Sequence, residues 1–179
     1  MSHSNQQQRG VTLVELCVSL TILAILLAVA LPVLEQMRLR QRVQLTAQMV
    51  MNDLQQARSE AVVRGEDMNF RISQHPQGSC YITHSGPVNA CRCSDSGEAV
   101  CTGSAEMQKL EWLPASRRVT VQANVNSLRF QARQGAVTST GRIEITASTG
   151  QSIRQIVSIA GRVRTCSPQA AFNGMPRCS

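Results

Sequence analysis

Aromatic residues are scarce: one Trp, one Tyr and three Phe among 179 residues. Any core must therefore rest on Val, Ile, Leu and Ala, and no aromatic interleaves with the arginines of Gly161–Arg164 to stack on bases. Lysine is scarcer still, Lys109 standing alone beside 17 arginines. Groups that carry chemistry are also few. The histidines are His3, His75 and His84, and none has an obvious nucleophile beside it. No Gly-rich phosphate loop, paired-carboxylate site or Ser/His/Asp set is present. We expect no enzyme, no cofactor and no small-molecule substrate.

Charge is missing where a membrane would need it missing. From Val11 to Leu34 the chain runs 24 residues with Glu15 as its one charged group. A helix of that length reaches roughly 36 Å, enough to cross a hydrocarbon core of about 30 Å. A carboxylate in such a segment costs roughly 2.5–3.5 kcal/mol at the centre and less near an edge, so Glu15 calls for a partner. An ordinary secretory signal does not fit, because Ala28-Val29-Ala30 continues into more apolar chain. A plain anchor would give Glu15 no purpose. By the positive-inside rule, Arg38, Arg40 and Arg42 after the span outweigh Arg9 before it, which favours a cytoplasmic C-terminal part.

The residues around that segment point the other way. Gly10-Val11-Thr12-Leu13-Val14-Glu15 resembles the class III signal of type IV prepilins and type II secretion pseudopilins, with Val11 where Phe is usual. The resemblance implies that a prepilin peptidase cuts after Gly10 and N-methylates Val11. It also implies that Glu15 serves filament assembly by neutralising a neighbouring subunit's N-terminal amine, and that Pro32 is the proline that kinks the helix. The rest of the chain would lie outside the inner membrane, in the periplasm, with other pilins or pseudopilins as partners in a filament.

Seven cysteines are present. Cys17 falls in the apolar segment; Cys80, Cys91, Cys93, Cys101, Cys166 and Cys178 form an even set beyond it. An even set beside an export signal reads as disulfides. Six cysteines allow 15 pairings; we expect Cys166–Cys178 to close the tail and the other four to pair among themselves. A metal site of Cys80, Cys91, Cys93 and Cys101 near His75 and His84 is the competing reading, but Cys-x-Cys is not the usual zinc spacing. We expect no metal.

Acid is nearly absent from the C-terminal third. Residues 1–111 hold nine Lys/Arg and ten Asp/Glu, a net charge of −1, whereas residues 112–179 hold nine arginines and Glu144 alone, a net charge of +8. Guanidinium forks suit bidentate phosphate contacts. In Gly161-Arg162-Val163-Arg164 two arginines stand two apart in an extended segment, after a glycine that lets the chain turn. Arg142, Arg154 and Arg177 are candidate neighbours. The competing reading is an arginine-rich strand end that pairs with acids on other subunits.

The chain divides into a leader (1–10), a transmembrane helix half (11–34), an amphipathic helix half (35–66), a β-rich domain (67–165) with a cysteine-bearing insertion (86–107), and a disulfide-closed tail (166–179). Helical spacing continues from Met37 to Val62 with no Gly or Pro before Gly65, predicting one helix from about Thr12 to Arg64. From Met68 the period becomes two. Strands are expected at Met68–Ser73, Ser79–His84, Leu110–Leu113, Arg118–Ala123, Ser127–Ala132, Arg142–Ala147 and Arg154–Ser158. The fold class is α+β, a long helix packed on antiparallel sheets.

Two further stretches are similar to the FimT/GspH family: Ala57-Arg58-Ser59-Glu60-Ala61 at the helix end, and the run from Leu128 through Gly141–Ile145 to Arg164. In the helix-end stretch Ala57 and Ala61 let a sheet pack close, and Arg58, Glu60 and Arg64 are expected to face out. The Gly161–Arg164 motif is similar to the tail of FimT-type minor pilins, which implies double-stranded DNA as a partner during natural transformation, with Arg162 and Arg164 as principal contacts. A GspH-type structural pseudopilin of type II secretion is the alternative. Replacing Glu15 by Ala is expected to lower incorporation into filaments, scored by immunoblot of sheared filaments, while the soluble domain stays folded; normal incorporation would sink the assembly role.

Overall fold

The computed structural model describes residues 12–169, 172 and 174–178. The leader and the expected cleavage site Gly10–Val11 lie outside the described residues. Helix α1 spans Leu13–Arg64, 52 residues with Pro32 inside it. Its first turn is capped from within: the Glu15 amide donates to Thr12 Oγ1 at 3.2 Å, the Thr-x-x-Glu arrangement of a capping box.

The chain forms two compact units, Met1–Arg38 and Leu39–Ser179. In the first, the apolar side chains from Leu13 to Met37 are exposed, on a helix long and apolar enough to cross a membrane. In the second, Leu39, Val43, Ala47, Val50, Leu54, Ala57 and Ala61 are buried along one stripe of α1, the spacing of a core-facing helix surface.

Among the described residues ten strands follow: β1 (Met68–His75), β2 (Gly78–Ser85), β3 (Cys91–Cys93), β4 (Ala99–Cys101), β5 (Met107–Pro114), β6 (Val119–Ala123), β7 (Ser127–Phe130), β8 (Gly141–Ala147), β9 (Ser152–Val157) and β10 (Val163–Cys166). They form two four-stranded sheets, β5-β2-β1-β7 and β10-β9-β8-β6, and the hairpin β3-β4, with every strand pair antiparallel. One core joins the stripe of α1 to Met68, Phe70, Leu113, Leu128 and Phe130 of the first sheet and Val121, Ile143, Ile145, Ile153 and Val157 of the second. At roughly 1.5–3 kcal/mol for each fully buried large apolar side chain, this packing outweighs any single polar contact. The α+β pilin-like arrangement expected from the sequence is the one observed.

The insertion departs from a plain surface loop. β3 and β4 sit in it, with Cys91 and Cys101 directly opposite in register and bonded to each other. Cys93 is bonded to Cys80 of β2. Cys80, Ile82, Cys91 and Cys93 make a second apolar cluster with Leu110 and Trp112. Strand β2 is therefore buried along its whole length: Tyr81 joins the main core, while Cys80 and Ile82 join the cluster under the insertion. A side chain at Gly97 would strike the Trp112 ring at 2.7 Å, so the insertion lies flat on that ring. Strand β10 was also absent from the expected set, and the third bridge, Cys166–Cys178, ties its end to the tail.

A carboxylate lies inside the helix–sheet contact. Asp53 of α1 is 5 % exposed; it accepts from the Tyr81 hydroxyl at 2.6 Å and from Lys109 Nζ at 2.6 Å. Burial first, and the Asp53 carboxylate second, hold the Tyr81 hydroxyl far above its ordinary pKa, so it stays protonated and donating. Removing one partner of such a pair strands the other charge. Lys109→Met is expected to destabilise the protein by about 3 kcal/mol, less than a fully enclosed pair would lose because the Lys109 side chain is 37 % exposed. Asp53→Leu combined with Lys109→Met should recover most of the loss, as measured by urea unfolding followed through Trp112 fluorescence.

Candidate nucleic-acid interface

The site is built by the turn between β9 and β10. The Ser158 amide donates to the Arg162 carbonyl at 3.0 Å and the Gly161 amide to the Ser158 carbonyl at 2.8 Å; the Arg162 amide donates to Ser158 Oγ at 3.2 Å. Gly161 has φ +71°, and a Cβ there would stand 2.0 Å from the Gly135 carbonyl oxygen and 3.0 Å from Arg58 Nε. Only glycine fits so tight and left-handed a position.

Arg58 is the fixing residue. Its Nε donates to the same Gly135 carbonyl at 3.1 Å, and the Val137 amide donates to the Ile159 carbonyl at 2.8 Å. Helix α1, the Gly135 turn and the Gly161 turn thus meet at one point. Arg58 was expected to face out; it is half-buried against this turn. Glu60 and Arg64, its companions in the motif, form an i,i+4 pair at 3.4 Å.

Register decides which arginines gather. Arg142 of β8 and Arg164 of β10 both pair with Ile156 of β9, forming one cross-strand row. With neighbouring strands about 4.8 Å apart, their Cα atoms lie roughly 10 Å apart. Arg162 enters β10 immediately before Val163, and Arg142, Arg162 and Arg164 are all exposed. Arg154 occupies the next row, opposite Glu144 and Cys166, and is paired with Glu144 at 3.3 Å. Its charge is compensated by the one acid of the C-terminal third. Arg177 is exposed and bridges Ser167 in the tail closed by Cys166–Cys178.

Two residues of this end were not singled out from the sequence. Arg58 was read as outward-facing, and Arg133, exposed with φ +67°, stands two residues before Gly135. The signal for both was Gly135, whose carbonyl receives Arg58 and crowds Gly161.

The remaining candidates fall elsewhere. Glu15 and Pro32 lie on the exposed first part of α1. His75, Cys80 and Cys93 bring potential ligand atoms within 4.8 Å of one another. The two sulfurs are bonded to each other, which leaves no thiolate to bind a metal, and His75 Nδ1 is 2.7 Å from Asp95 Oδ1. His84 is buried, with Nδ1 2.9 Å from the Ser85 carbonyl.

A long helix with an exposed apolar first part, packed at its second part on antiparallel sheets, defines a pilin-like protein. Residues 5–31 match the prokaryotic N-terminal methylation motif, and residues 46–161 match the family described as type II transport protein GspH. The chain belongs to the GspH family. Its fold is similar to that of the type IV minor pilin FimU of Pseudomonas aeruginosa in two crystal forms. In the first, the TM-score is 0.55 at 17 % identity, covering 74 % of this chain and 97 % of that one; in the second it is 0.53 at 16 %, covering 73 % and 100 %. The minor pseudopilin EpsH of the Vibrio cholerae type 2 secretion system gives 0.48 at 14 % identity, covering 70 % and 97 %. No curated protein matches the chain. The chain therefore joins a pilin-like fold to an N-terminal methylation motif within the GspH family.

Gly161→Ala is expected to cost about 2 kcal/mol or more, from the left-handed backbone and the clash together. It should lower the melting temperature far more than Gly103→Ala, whose surroundings are open. Equal melting shifts would show that the turn is not held as described.

Proposed function

We propose that the protein is a minor pilin of a type IV pilus that binds double-stranded DNA without sequence preference for uptake in natural transformation. Prepilin peptidase removes residues 1–10 and methylates Val11; the apolar half of α1 anchors the chain in the inner membrane with its domain in the periplasm, and Glu15 and Pro32 serve assembly with other pilins. Arg142, Arg162 and Arg164 contact phosphate, and Arg133 and Arg177 extend the cationic end.

The observation that carries the reading is the cross-strand row of Arg142 and Arg164 beside the Gly161-fixed Arg162, three exposed guanidinium groups with no carboxylate bonded to them among the described residues. Sheet register fixes the spacing of the backbone positions from which these guanidinium groups reach backbone phosphates. Arg154, paired with Glu144, contributes little.

The family match favours a second reading, a purely structural pseudopilin of type II secretion. A mobility-shift titration of the full chain in detergent, repeated across salt concentrations, separates the two. Under the first reading Arg162→Ala with Arg164→Ala weakens duplex binding, and two lost phosphate contacts lower the slope of log K against log salt by about 2. Arg154→Ala leaves the slope unchanged. Absence of binding favours the pseudopilin; binding with unchanged affinity in the double variant shows that Arg162 and Arg164 are not the contacts.

A further inference from the structure

The row that holds Arg164 and Arg142 does not stop at β8. It runs on to Asn124, just past β6, whose amide donates to the Arg142 carbonyl at 3.1 Å. Asn124 Oδ1 accepts from the Arg142 amide at 2.6 Å. Three strand spacings, roughly 14 Å, separate Arg164 from this point.

Strand β6 is an edge of the second sheet, and side chains rather than a strand join that edge to the first sheet. The Val121 amide donates to Ser79 Oγ at 3.0 Å, and the Gln74 side chain donates to the Val121 carbonyl. On the first sheet, β7 covers β1 only from Met68 to Arg71, while β1 runs on to His75. A groove of about 490 Å³ opens in the space left, lined in part by Arg71, Ser73, Gln122, Val125 and Asn126. That volume lies within the roughly 300–1,000 Å³ of a small-ligand pocket.

The lining suits one nucleotide. Gln122 and Asn126 are exposed, and among the described residues neither side chain is hydrogen-bonded. An amide carries a donor and an acceptor side by side, the pair by which Asn and Gln read a base edge. Ile72 and Val125 pack on the main core and give the groove an apolar floor. Arg71 Nη1 donates to the neutral Asn89 Oδ1 at 2.8 Å. Its Nε is buried without a partner among the described residues, and no carboxylate there is bonded to it. A base stacked and paired in a duplex cannot enter such a groove; an unpaired base can.

Resting on the proposed DNA binding, the geometry points to this groove as the seat of one unpaired base at the end of a DNA. Arg164 and Arg142 lead the phosphates along the row, Gln122 and Asn126 take the base edge, and Arg71 takes the phosphate that follows. The favoured ligand is then DNA with a single-stranded end rather than uniform duplex.

A second cationic group supplies a control. Arg40 Nε donates to Gln151 Oε1 at 3.2 Å, in the turn between β8 and β9, at the end of β8 opposite Arg142. Arg42 Nη1 donates to the Arg117 carbonyl at 3.2 Å, before the start of β6. Both bond to neutral acceptors and keep their net charge.

The test is fluorescence anisotropy of the full chain in non-ionic detergent with three DNAs. They are a blunt duplex, the same duplex forked so that both strands carry a short unpaired tail, and the fork with abasic tails. The fork is expected to bind about tenfold more tightly than the blunt duplex, and the abasic tails to lose most of that gain. Gln122→Ala with Asn126→Ala should remove the gain and leave blunt-duplex affinity unchanged, whereas Arg40→Gln with Arg42→Gln should leave the gain in place. Equal affinity for fork and blunt duplex, or a gain kept by abasic tails, overturns the groove and leaves duplex binding standing. Loss of the gain in the Arg40 and Arg42 variant reduces it to net charge and overturns the groove as well. No binding to any of the three overturns both readings. A matched melting temperature for each variant keeps lost binding apart from lost folding.

Discussion

The chain's one tyrosine and one lysine both end on the same carboxylate. Asp53 receives Tyr81 from β2 and Lys109 from β5, inside a contact otherwise made of Val, Leu and Ala. Such a contact is strong but indifferent to small shifts, because one apolar residue substitutes for another at the next turn of helix. A carboxylate is not indifferent. Sliding α1 by one turn, about 5.4 Å, would leave Asp53 buried without donors, at a cost of several kcal/mol. On the second sheet the Gln155 side chain donates to the Ala47 carbonyl and pins the helix again. Both cationic ends inherit their geometry from this register, since Arg42 and Arg58 project from the same helix.

What periodicity could convey, it conveyed. The helix expected over Thr12–Arg64 runs over Leu13–Arg64, and the seven expected strands all overlap observed ones. The missed elements share a cause. β3 and β4 have three residues each, too short for an alternating pattern to register among Gly, Ser and Cys, and they are held by disulfides rather than by their own apolar content. β10 is hidden because Arg164 and Thr165 read as polar, yet it pairs with β9 through its backbone. The double-sided burial of β2 was equally invisible, since nothing in Cys80-Tyr81-Ile82 says that two different clusters cover its faces.

The site was legible as composition and only partly as geometry. The excess of arginine, the Gly161 turn and the Arg162–Arg164 pair stood in the sequence. Which arginines are free did not, because that depends on cross-strand register. Glu144 lies ten residues from Arg154 in sequence and directly opposite it in the sheet, so the lone acid compensates Arg154 and leaves Arg142 unbonded to acid. Arg58 was misjudged for a related reason: its partner is a backbone carbonyl 77 residues away, and a carbonyl has no sequence signature.

The two groups of arginine stand on one rigid ruler. Arg42 and Arg58 are 16 residues apart on α1, about 24 Å, and the screening length in physiological salt is about 8 Å. Three screening lengths make the two poles electrically deaf to each other. A polyanion held at the Arg58 end would not sense the cations at the Arg42 end, nor be held by them. The length of a helix, set by packing, also acts as an insulator.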